Sequence, residues 1–259
     1  MPEPSLNYNI DQLQTRVRGQ GQPEVLLLHG WGGNLDSLTA LADPLSCQRR
    51  VWALSLPGFG DSPPPPTGWG TGEYVQLVRL WLEAKGLSQV DIIAHSFGGR
   101  IALSLASHHP DMVKRLVLIA AAGLRPQRSL KTRAKLMISK SLNRIGRVAG
   151  GSVKAWLDQR KERLGSADWR AASPRMRMVL SRVIGEDLTP DLGLVKASTL
   201  LIYGDKDTAT PVSMGNRMAA LIPESKLVVL KGAGHYCFLD QKGDVLAAIW
   251  RHLELPPAW

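Results

Sequence analysis

Cysteine is nearly absent from this sequence. The 259 residues include only two, Cys47 and Cys237, which lie far apart in the chain. Their spacing matches no metal-binding pattern such as CxxC, and one pair does not make a disulfide framework. We therefore predict two buried free thiols, with no metal site and no cofactor.

Long apolar runs are also missing. The longest, residues 116–124, is about half of the roughly 18 residues that a membrane-spanning helix needs. The opening residues, MPEPSLNYNID, lack the basic and apolar regions of a secretory signal. There is no internal repeat and no low-complexity tract, and the hydrophobic content of 44% is ordinary for a globular protein. These features predict a cytoplasmic, soluble protein with no membrane span.

Acidic residues are scarce in one segment. Residues 125–182 contain sixteen lysines and arginines but only three carboxylates, at Asp158, Glu162 and Asp168. The formal net charge of this segment is about +13. Because the whole protein has a formal net charge of +10, the rest of the chain is slightly acidic. We interpret the segment as a helical insertion with a solvated basic face, and we expect no nucleic-acid partner. A site for anionic substrates, or a docking face for an acidic carrier or a membrane, is the alternative.

Short apolar runs recur along the rest of the sequence. Continuous runs of this length are typical of strands that are buried on both faces of a sheet. They lie at residues 25–28, 51–56, 90–94, 116–121, 199–203 and 227–230. Residues 6–18 are expected to add an antiparallel pair at one edge.

Helical patterns lie between several of these runs. The clearest is an i, i+3, i+4, i+7, i+8 stripe that begins at Tyr74 and ends before Gly86. Further helices are expected at residues 101–108, 214–221 and 245–253. Strands that alternate with helices predict an α/β fold, with a mostly parallel sheet and helices on both faces.

The alternation stops between residues 124 and 196. This stretch shows helical patterning without strand-like runs, and Ser173 and Pro174 occupy the N-cap and N1 positions of one predicted helix. We predict a core domain of residues 1–123 and 197–259, and a helical cap of residues 124–196 over the carboxyl end of the sheet, where ligands bind in open α/β folds. The candidates to line a pocket there, or to pack the cap's own core, are Leu136, Met137, Trp156 and Trp169.

The stretch AHSFGG, residues 94–99, lies where a predicted strand passes into a helix. This is the setting of a nucleophile elbow, in which a sharp turn exposes a serine hydroxyl above the sheet. The strand and helix backbones nearly touch at such a turn, so the residues two before and two after the serine must be small. Ala94 and Gly98 occupy these places around Ser96. Ser96 is therefore a candidate nucleophile.

A nucleophilic serine needs a base, and the chain has six histidines. His95 adjoins Ser96, but neighbours along a strand point to opposite faces, so we expect it to pack. His235 lies in the glycine-rich stretch KGAGHYCF after the last predicted strand. It should reach the same edge of the sheet as Ser96, and it is the candidate base. Structural roles are expected for the others: His29, His108, His109 and His252.

The acid that orients the base should come from another strand end. The stretch LLIYGDKD supplies Asp207, the first candidate, and Asp205, the second. The other position where folds of this class place the acid, after the run at residues 116–121, has no carboxylate. The backbone N–H groups of Trp31, in HGWGG, and of Phe97 are the candidate donors to an oxyanion.

Five motifs follow one another in the chain: HGWGG, LPGFGDS, AHSFGG, GDKDTATP and GAGHYCF. Together they resemble the α/β-hydrolase superfamily from about residue 25 to residue 253, with alanine for the first glycine of GxSxG. The sequence is similar to the group of ester hydrolases and C–C hydrolases that have a helical cap. The resemblance implies that Ser96 is the nucleophile, His235 the general base and acid, and Asp207 its orienting partner, with an oxyanion hole at Trp31 and Phe97.

The resemblance leaves three functions open. The first is a carboxylic-ester hydrolase that acts through an acyl-enzyme on small esters of short to medium acyl chains. The second is a C–C hydrolase or lyase for an anionic substrate, with cap arginines binding its carboxylate. Arg100 matches an arginine of a lyase of this fold, but we expect a surface position for it. The third is a ligand receptor on a hydrolase scaffold. Both a monomer and a dimer are compatible with the sequence.

Overall fold

Seven strands form one sheet in the computed structural model, which describes residues 6–125 and 167–256. The strands are β1 (Thr15–Arg18), β2 (Val25–Leu28), β3 (Val51–Leu54), β4 (Val90–His95), β5 (Val113–Ile119), β6 (Ser198–Gly204) and β7 (Ser225–Leu230). Their order across the sheet is β1-β3-β2-β4-β5-β6-β7, and only the β1–β3 pairing is antiparallel. The prediction of a mostly parallel sheet is confirmed, with a strand at each of the six predicted runs.

The antiparallel edge differs from the prediction. Residues 6–18 supply one strand, β1, instead of a pair, because residues Ile10–Gln12 turn into a short 3-10 helix before the chain pairs with β3.

Helices cover both faces of the sheet. They are α1 (Thr39–Ser46), α2 (Thr71–Ala84), α3 (Phe97–His108), α4 (Ala167–Ala171), α5 (Pro174–Gly185), α6 (Val212–Leu221), α7 (Cys237–Asp240) and α8 (Lys242–His252). Successive residues of β2 point to opposite faces. Leu26 and Leu28 join the apolar cluster under α2, α3 and α6, whereas Val25 and Leu27 join the cluster under α1 and α8.

The described part of the predicted cap packs on the core. Ser173 caps α5 as predicted, because its hydroxyl accepts a hydrogen bond from the Met176 N–H. The apolar face of α5 then joins the cluster of α2 and α3. Glu186, directly after α5, accepts hydrogen bonds from the backbone N–H and the hydroxyl of Thr71 at the start of α2.

The four proposed pocket residues are only partly within the structure. Leu136, Met137 and Trp156 lie outside the described residues. Trp169 lies on α4, where the Arg177 guanidinium stacks over its ring at 4.4 Å. Trp169 is partly buried and also packs against the apolar cluster of α2, α3 and α5.

Two sequence predictions about single residues are wrong. Both cysteines are free thiols as predicted, but Cys47 is exposed at the end of α1 and only Cys237 is buried. Arg100 is 5% exposed instead of lying at the surface. The reason is that α3 is buried along nearly its whole length, and Glu186 supplies an opposite charge 3.9 Å from the Arg100 guanidinium.

Two absences concern residues 6–125 and 167–256 only. No helix there combines the length and apolar character that crossing a bilayer requires. No three His, Cys, Asp or Glu side chains there come together as a metal-binding group.

Candidate active site

Ser96 occupies a tight turn between β4 and α3. Its φ of +50° is unusual for a residue with a side chain and costs about 1 to 3 kcal/mol, which the surrounding structure must offset. Two backbone hydrogen bonds from the end of β5 hold it there. The Ser96 N–H donates to the Ile119 carbonyl at 3.0 Å, and the Ser96 carbonyl accepts from the Ala122 N–H at 3.0 Å.

Close backbone contact explains the small residues around this turn. A Cβ on Gly98 would lie 2.4 Å from the Leu28 carbonyl oxygen and 2.6 Å from that of His29. Neither distance is compatible with a side chain. The prediction that the second residue after the serine must be small is confirmed at Gly98.

The structure brings Ser96, His235 and Asp207 together at the carboxyl edge of the sheet. The three residues follow β4, β7 and β6, so parallel strands deliver them to one side. His235 Nε2 lies 3.1 Å from Ser96 Oγ, and His235 Nδ1 lies 2.7 Å from Asp207 Oδ2. With its proton on Nδ1, the imidazole donates to Asp207 and leaves Nε2 free to accept from the serine hydroxyl.

Four hydrogen bonds converge on the Asp207 carboxylate. Oδ1 accepts from the backbone N–H groups of Ala209 and Thr210, at 2.8 and 3.0 Å. Oδ2 accepts from His235 and from the Thr210 hydroxyl, which lies 2.7 Å away. Burial by itself raises the pKa of Asp207, but the hydrogen bonds from His235 and Thr210 outweigh it and lower the pKa below its usual range. Asp207 is thus ionised where it faces His235.

Thr210 is the member of this site that sequence reasoning missed. It lies three residues after Asp207 in GDKDTATP, the spacing at which an Asp side chain commonly bonds backbone groups of its own turn. That spacing was the available signal.

Asp205, the second candidate for the acid, has a different partner. Its Oδ1 accepts a hydrogen bond from the Gly232 N–H at 2.7 Å, which ties the loop after β6 to the loop after β7. Asp207 is therefore the carboxylate that faces His235.

His95 packs beneath the site, as predicted. It is 3% exposed, and its Nε2–H donates to the carbonyl oxygen of His235 at 3.0 Å. Its ring also contacts Phe238, with centroids 5.1 Å apart. Burial, together with the neighbouring His235, lowers the pKa of His95 to about 4, so the ring is neutral at physiological pH.

His29 holds the loop that follows β2, as predicted. Its Nε2 accepts from the Leu56 N–H at 3.0 Å, and its Nδ1 lies 2.7 Å from the Gly30 carbonyl oxygen. Burial lowers the pKa of His29 to about 4. His29 thus shapes the turn that leads to Trp31.

Trp31 and Phe97 lie on the two segments that flank Ser96. Phe97 is the first residue of α3, and Trp31 follows the end of β2. Their rings pack edge to face, with centroids 5.3 Å apart. Neither backbone N–H donates a hydrogen bond to any residue within the described ranges. A free N–H at a helix start, such as that of Phe97, is suited to binding a negatively charged oxygen.

The family follows from comparison with known proteins. A family model described as the alpha/beta hydrolase fold matches residues 23–143 and 128–242. The chain belongs to the α/β-hydrolase fold family. The resemblance drawn from the five motifs is thereby confirmed.

Two known proteins are similar to this chain along most of its length. A pimeloyl-[acyl-carrier protein] methyl ester esterase of Chromobacterium violaceum is 29% identical over 258 residues, covering 91% of this chain and 96% of that protein. The crystal structure of a bacterial membrane phospholipase A has a TM-score of 0.72 and 26% identity, covering 94% of this chain and 83% of that one.

A third relative shares the α/β-hydrolase fold alone. This esterase from Exiguobacterium antarcticum has a TM-score of 0.72 at 23% identity, covering 93% of this chain and 95% of that one.

Proposed function

We propose that this protein is a serine hydrolase that cleaves carboxylic esters through an acyl-enzyme. One observation carries the proposal: a continuous hydrogen-bonded chain runs from Ser96 Oγ through both nitrogens of His235 to Asp207 Oδ2, with distances of 3.1 and 2.7 Å. Such a chain makes a weakly nucleophilic hydroxyl reactive, because the proton it must lose has an oriented acceptor.

In the acylation step, Ser96 Oγ attacks the ester carbonyl carbon while His235 Nε2 takes the hydroxyl proton. The carbonyl oxygen becomes an oxyanion, which the N–H groups of Trp31 and Phe97 bind. One such donor is worth about 2.7 to 4 kcal/mol of barrier in a comparable site. The C–O bond to the leaving alcohol then breaks, and protonated His235 returns the proton to that oxygen.

In the deacylation step, water replaces the alcohol. His235 Nε2 removes a proton from the water, whose oxygen attacks the acyl carbon. When the bond to Ser96 Oγ breaks, His235 returns the proton to the serine and the carboxylic acid leaves. Asp207 stays ionised throughout, so it stabilises the imidazolium in both steps.

The surroundings of the oxyanion donors favour an apolar acyl group. The ring of Trp31 packs on Phe59 at 4.9 Å, and the ring of Phe97 packs on Tyr74 at 5.2 Å. We infer short to medium acyl chains as substrates, with residues 124–196 as the cap over them. The esterase relative from Chromobacterium violaceum supports ester cleavage.

The buried position of Arg100 removes one candidate for binding an anionic substrate. Its guanidinium faces the Glu186 carboxylate at 3.9 Å and the Glu186 carbonyl oxygen at 3.4 Å. Its charge is thus offset within the protein, so this arginine is not available to bind a substrate carboxylate.

The direct test is turnover of p-nitrophenyl acetate and butyrate by the wild type and by Ser96→Ala. We expect hydrolysis by the wild type and a loss of at least about a thousandfold in the variant. Full activity of Ser96→Ala would contradict the proposal. Preferential turnover of a ring-fission dienoate in a parallel assay would point instead to C–C cleavage. Failure to turn over either class, with ligand binding retained, would point to a receptor.

A further inference from the structure

The Thr210 side chain lies beside the hydrogen bond between His235 and Asp207. It is buried, with 5% of its surface exposed. Its hydroxyl lies 2.7 Å from Asp207 Oδ2, 2.9 Å from the Ala120 carbonyl oxygen and 3.3 Å from His235 Nδ1. Its backbone N–H binds the other Asp207 oxygen at 3.0 Å. Thr210 therefore forms a hydrogen bond to each oxygen of the Asp207 carboxylate.

The hydroxyl has one proton and two acceptors for it. The ionised carboxylate is the stronger acceptor, since hydrogen bonds to a charged oxygen are about twice as strong as those to a neutral one. The Thr210 proton thus goes to Asp207 Oδ2, the same oxygen that accepts from His235 Nδ1. The two donors share the negative charge of that oxygen.

Thr210 also lies next to the segment that holds the turn at Ser96. Ala120, whose carbonyl lies beside the hydroxyl, has a φ of +46° at the end of β5. Its neighbours Ile119 and Ala122 make the two hydrogen bonds that fix the Ser96 backbone. The Thr210 hydroxyl therefore lies between the Asp207 carboxylate and the short segment, residues 119–122, that holds the Ser96 backbone.

We propose that Thr210 is a positioning residue of the site, whose hydroxyl fixes the plane of the Asp207 carboxylate and limits how strongly that carboxylate draws on His235. The proposal rests on the proposed function, because it assigns Thr210 a part in the same Ser96–His235–Asp207 chain.

A pair of substitutions separates this role from simple packing. Thr210→Val keeps the shape of the side chain and removes the hydroxyl, whereas Thr210→Ser keeps the hydroxyl and removes a methyl group. A packing role predicts that serine is the worse replacement at this buried position. A positioning role predicts that valine is the worse replacement, because it changes the pKa of His235 and serine does not. The titratable side chains in contact with His235 among the described residues are Asp207, His95 and Tyr236.

The pKa of His235 is measured by NMR titration of its ring protons in wild type, Thr210→Val and Thr210→Ser, with signals assigned by their loss in His235→Ala. Thr210→Val removes one of the two donors to Asp207 Oδ2 and leaves His235 as the other, so we expect the His235 pKa to rise by roughly half a unit to one unit. The apparent pKa on the acid side of the pH profile of kcat/KM for ester hydrolysis should rise by the same amount. We also expect kcat to fall roughly threefold to tenfold with KM nearly unchanged, and Thr210→Ser to match the wild type in every one of these quantities.

Thermal unfolding of both variants shows whether each is folded. A His235 pKa that stays at the wild-type value in Thr210→Val, or that moves as far in Thr210→Ser, would overturn the inference while leaving the proposed function intact. Ester hydrolysis that survives in Ser96→Ala would overturn the proposed function, and the inference with it.

Discussion

His95 Nε2 lies 3.0 Å from the carbonyl oxygen of His235, and the two rings pack with centroids 4.8 Å apart. The residue before Ser96 thus holds the loop that carries the histidine facing Ser96. This hydrogen bond is one of the contacts that hold the turn after β4 against the loop after β7. Because the His95 ring is neutral, this bond is independent of pH across the physiological range.

Replacing His95 tests this link. His95→Phe keeps an aromatic ring but removes the Nε2–H, so the His235 carbonyl loses its donor and the loop can shift. We expect kcat for ester hydrolysis to fall roughly tenfold with a small change in KM. His108→Phe is the matched control, because His108 bonds the Ser104 carbonyl near the far end of α3. Wild-type kinetics in His95→Phe would show that the loop is held by other contacts.

The turn at Ser96 makes a prediction about stability. An alanine at Gly98 would push its Cβ against the carbonyl oxygens of Leu28 and His29, both of which belong to rigid backbone. We expect Gly98→Ala to lower the free energy of unfolding by roughly 1 to 3 kcal/mol, measured by urea denaturation. Gly72→Ala, on α2 with open space around the new Cβ, should leave stability unchanged or slightly raised. Equal stability of the two variants would mean that the backbones can separate at the elbow.

Asp91 predicts how stability depends on pH. Its side chain is fully buried on β4, and burial raises its pKa from 3.8 to about 6 despite Arg115 nearby. The folded protein therefore binds this proton more tightly than the unfolded chain does. The neutral carboxyl contributes fully to the free energy of unfolding below pH 3.8, and this contribution is lost as the pH rises through about 6.

Asp91→Asn removes the loss of stability that accompanies ionisation of the buried carboxyl, because the amide does not ionise. We expect the stability of the variant relative to the wild type to rise by about 2 to 3 kcal/mol between pH 4 and pH 7. Urea denaturation at the two pH values measures it. If variant and wild type differ in free energy of unfolding by the same amount at pH 4 and pH 7, ionisation of Asp91 does not affect stability.

The residues of the site could be predicted from the sequence because the carboxyl ends of parallel strands lie at the same edge of a sheet. Ser96, Asp207 and His235 each follow a strand-like run, so their meeting could be predicted before any distance was known. The choice of His235 over His95 followed from the alternation of side chains along a strand, and the structure places His95 behind the site.

Other features depend on contacts that local patterns do not encode. Arg100 is buried because Glu186, far along the chain, packs against α3, and nothing in SFGGR signals that contact. The Thr210 hydroxyl reaches Ala120 only because β5 and β6 are neighbours. Residues 6–18 supply one strand instead of two because residues Ile10–Gln12 form a 3-10 helix before β1.

The central claim is that Ser96 is the nucleophile, and covalent labelling tests it most directly. A fluorophosphonate probe is incubated with the native protein, and the modified peptide is identified by mass spectrometry. We predict one adduct, on Ser96, that is absent in Ser96→Ala and forms at least a hundredfold more slowly in His235→Ala. Labelling that persists in Ser96→Ala, or an unmodified Ser96 in the folded wild type, would contradict the account.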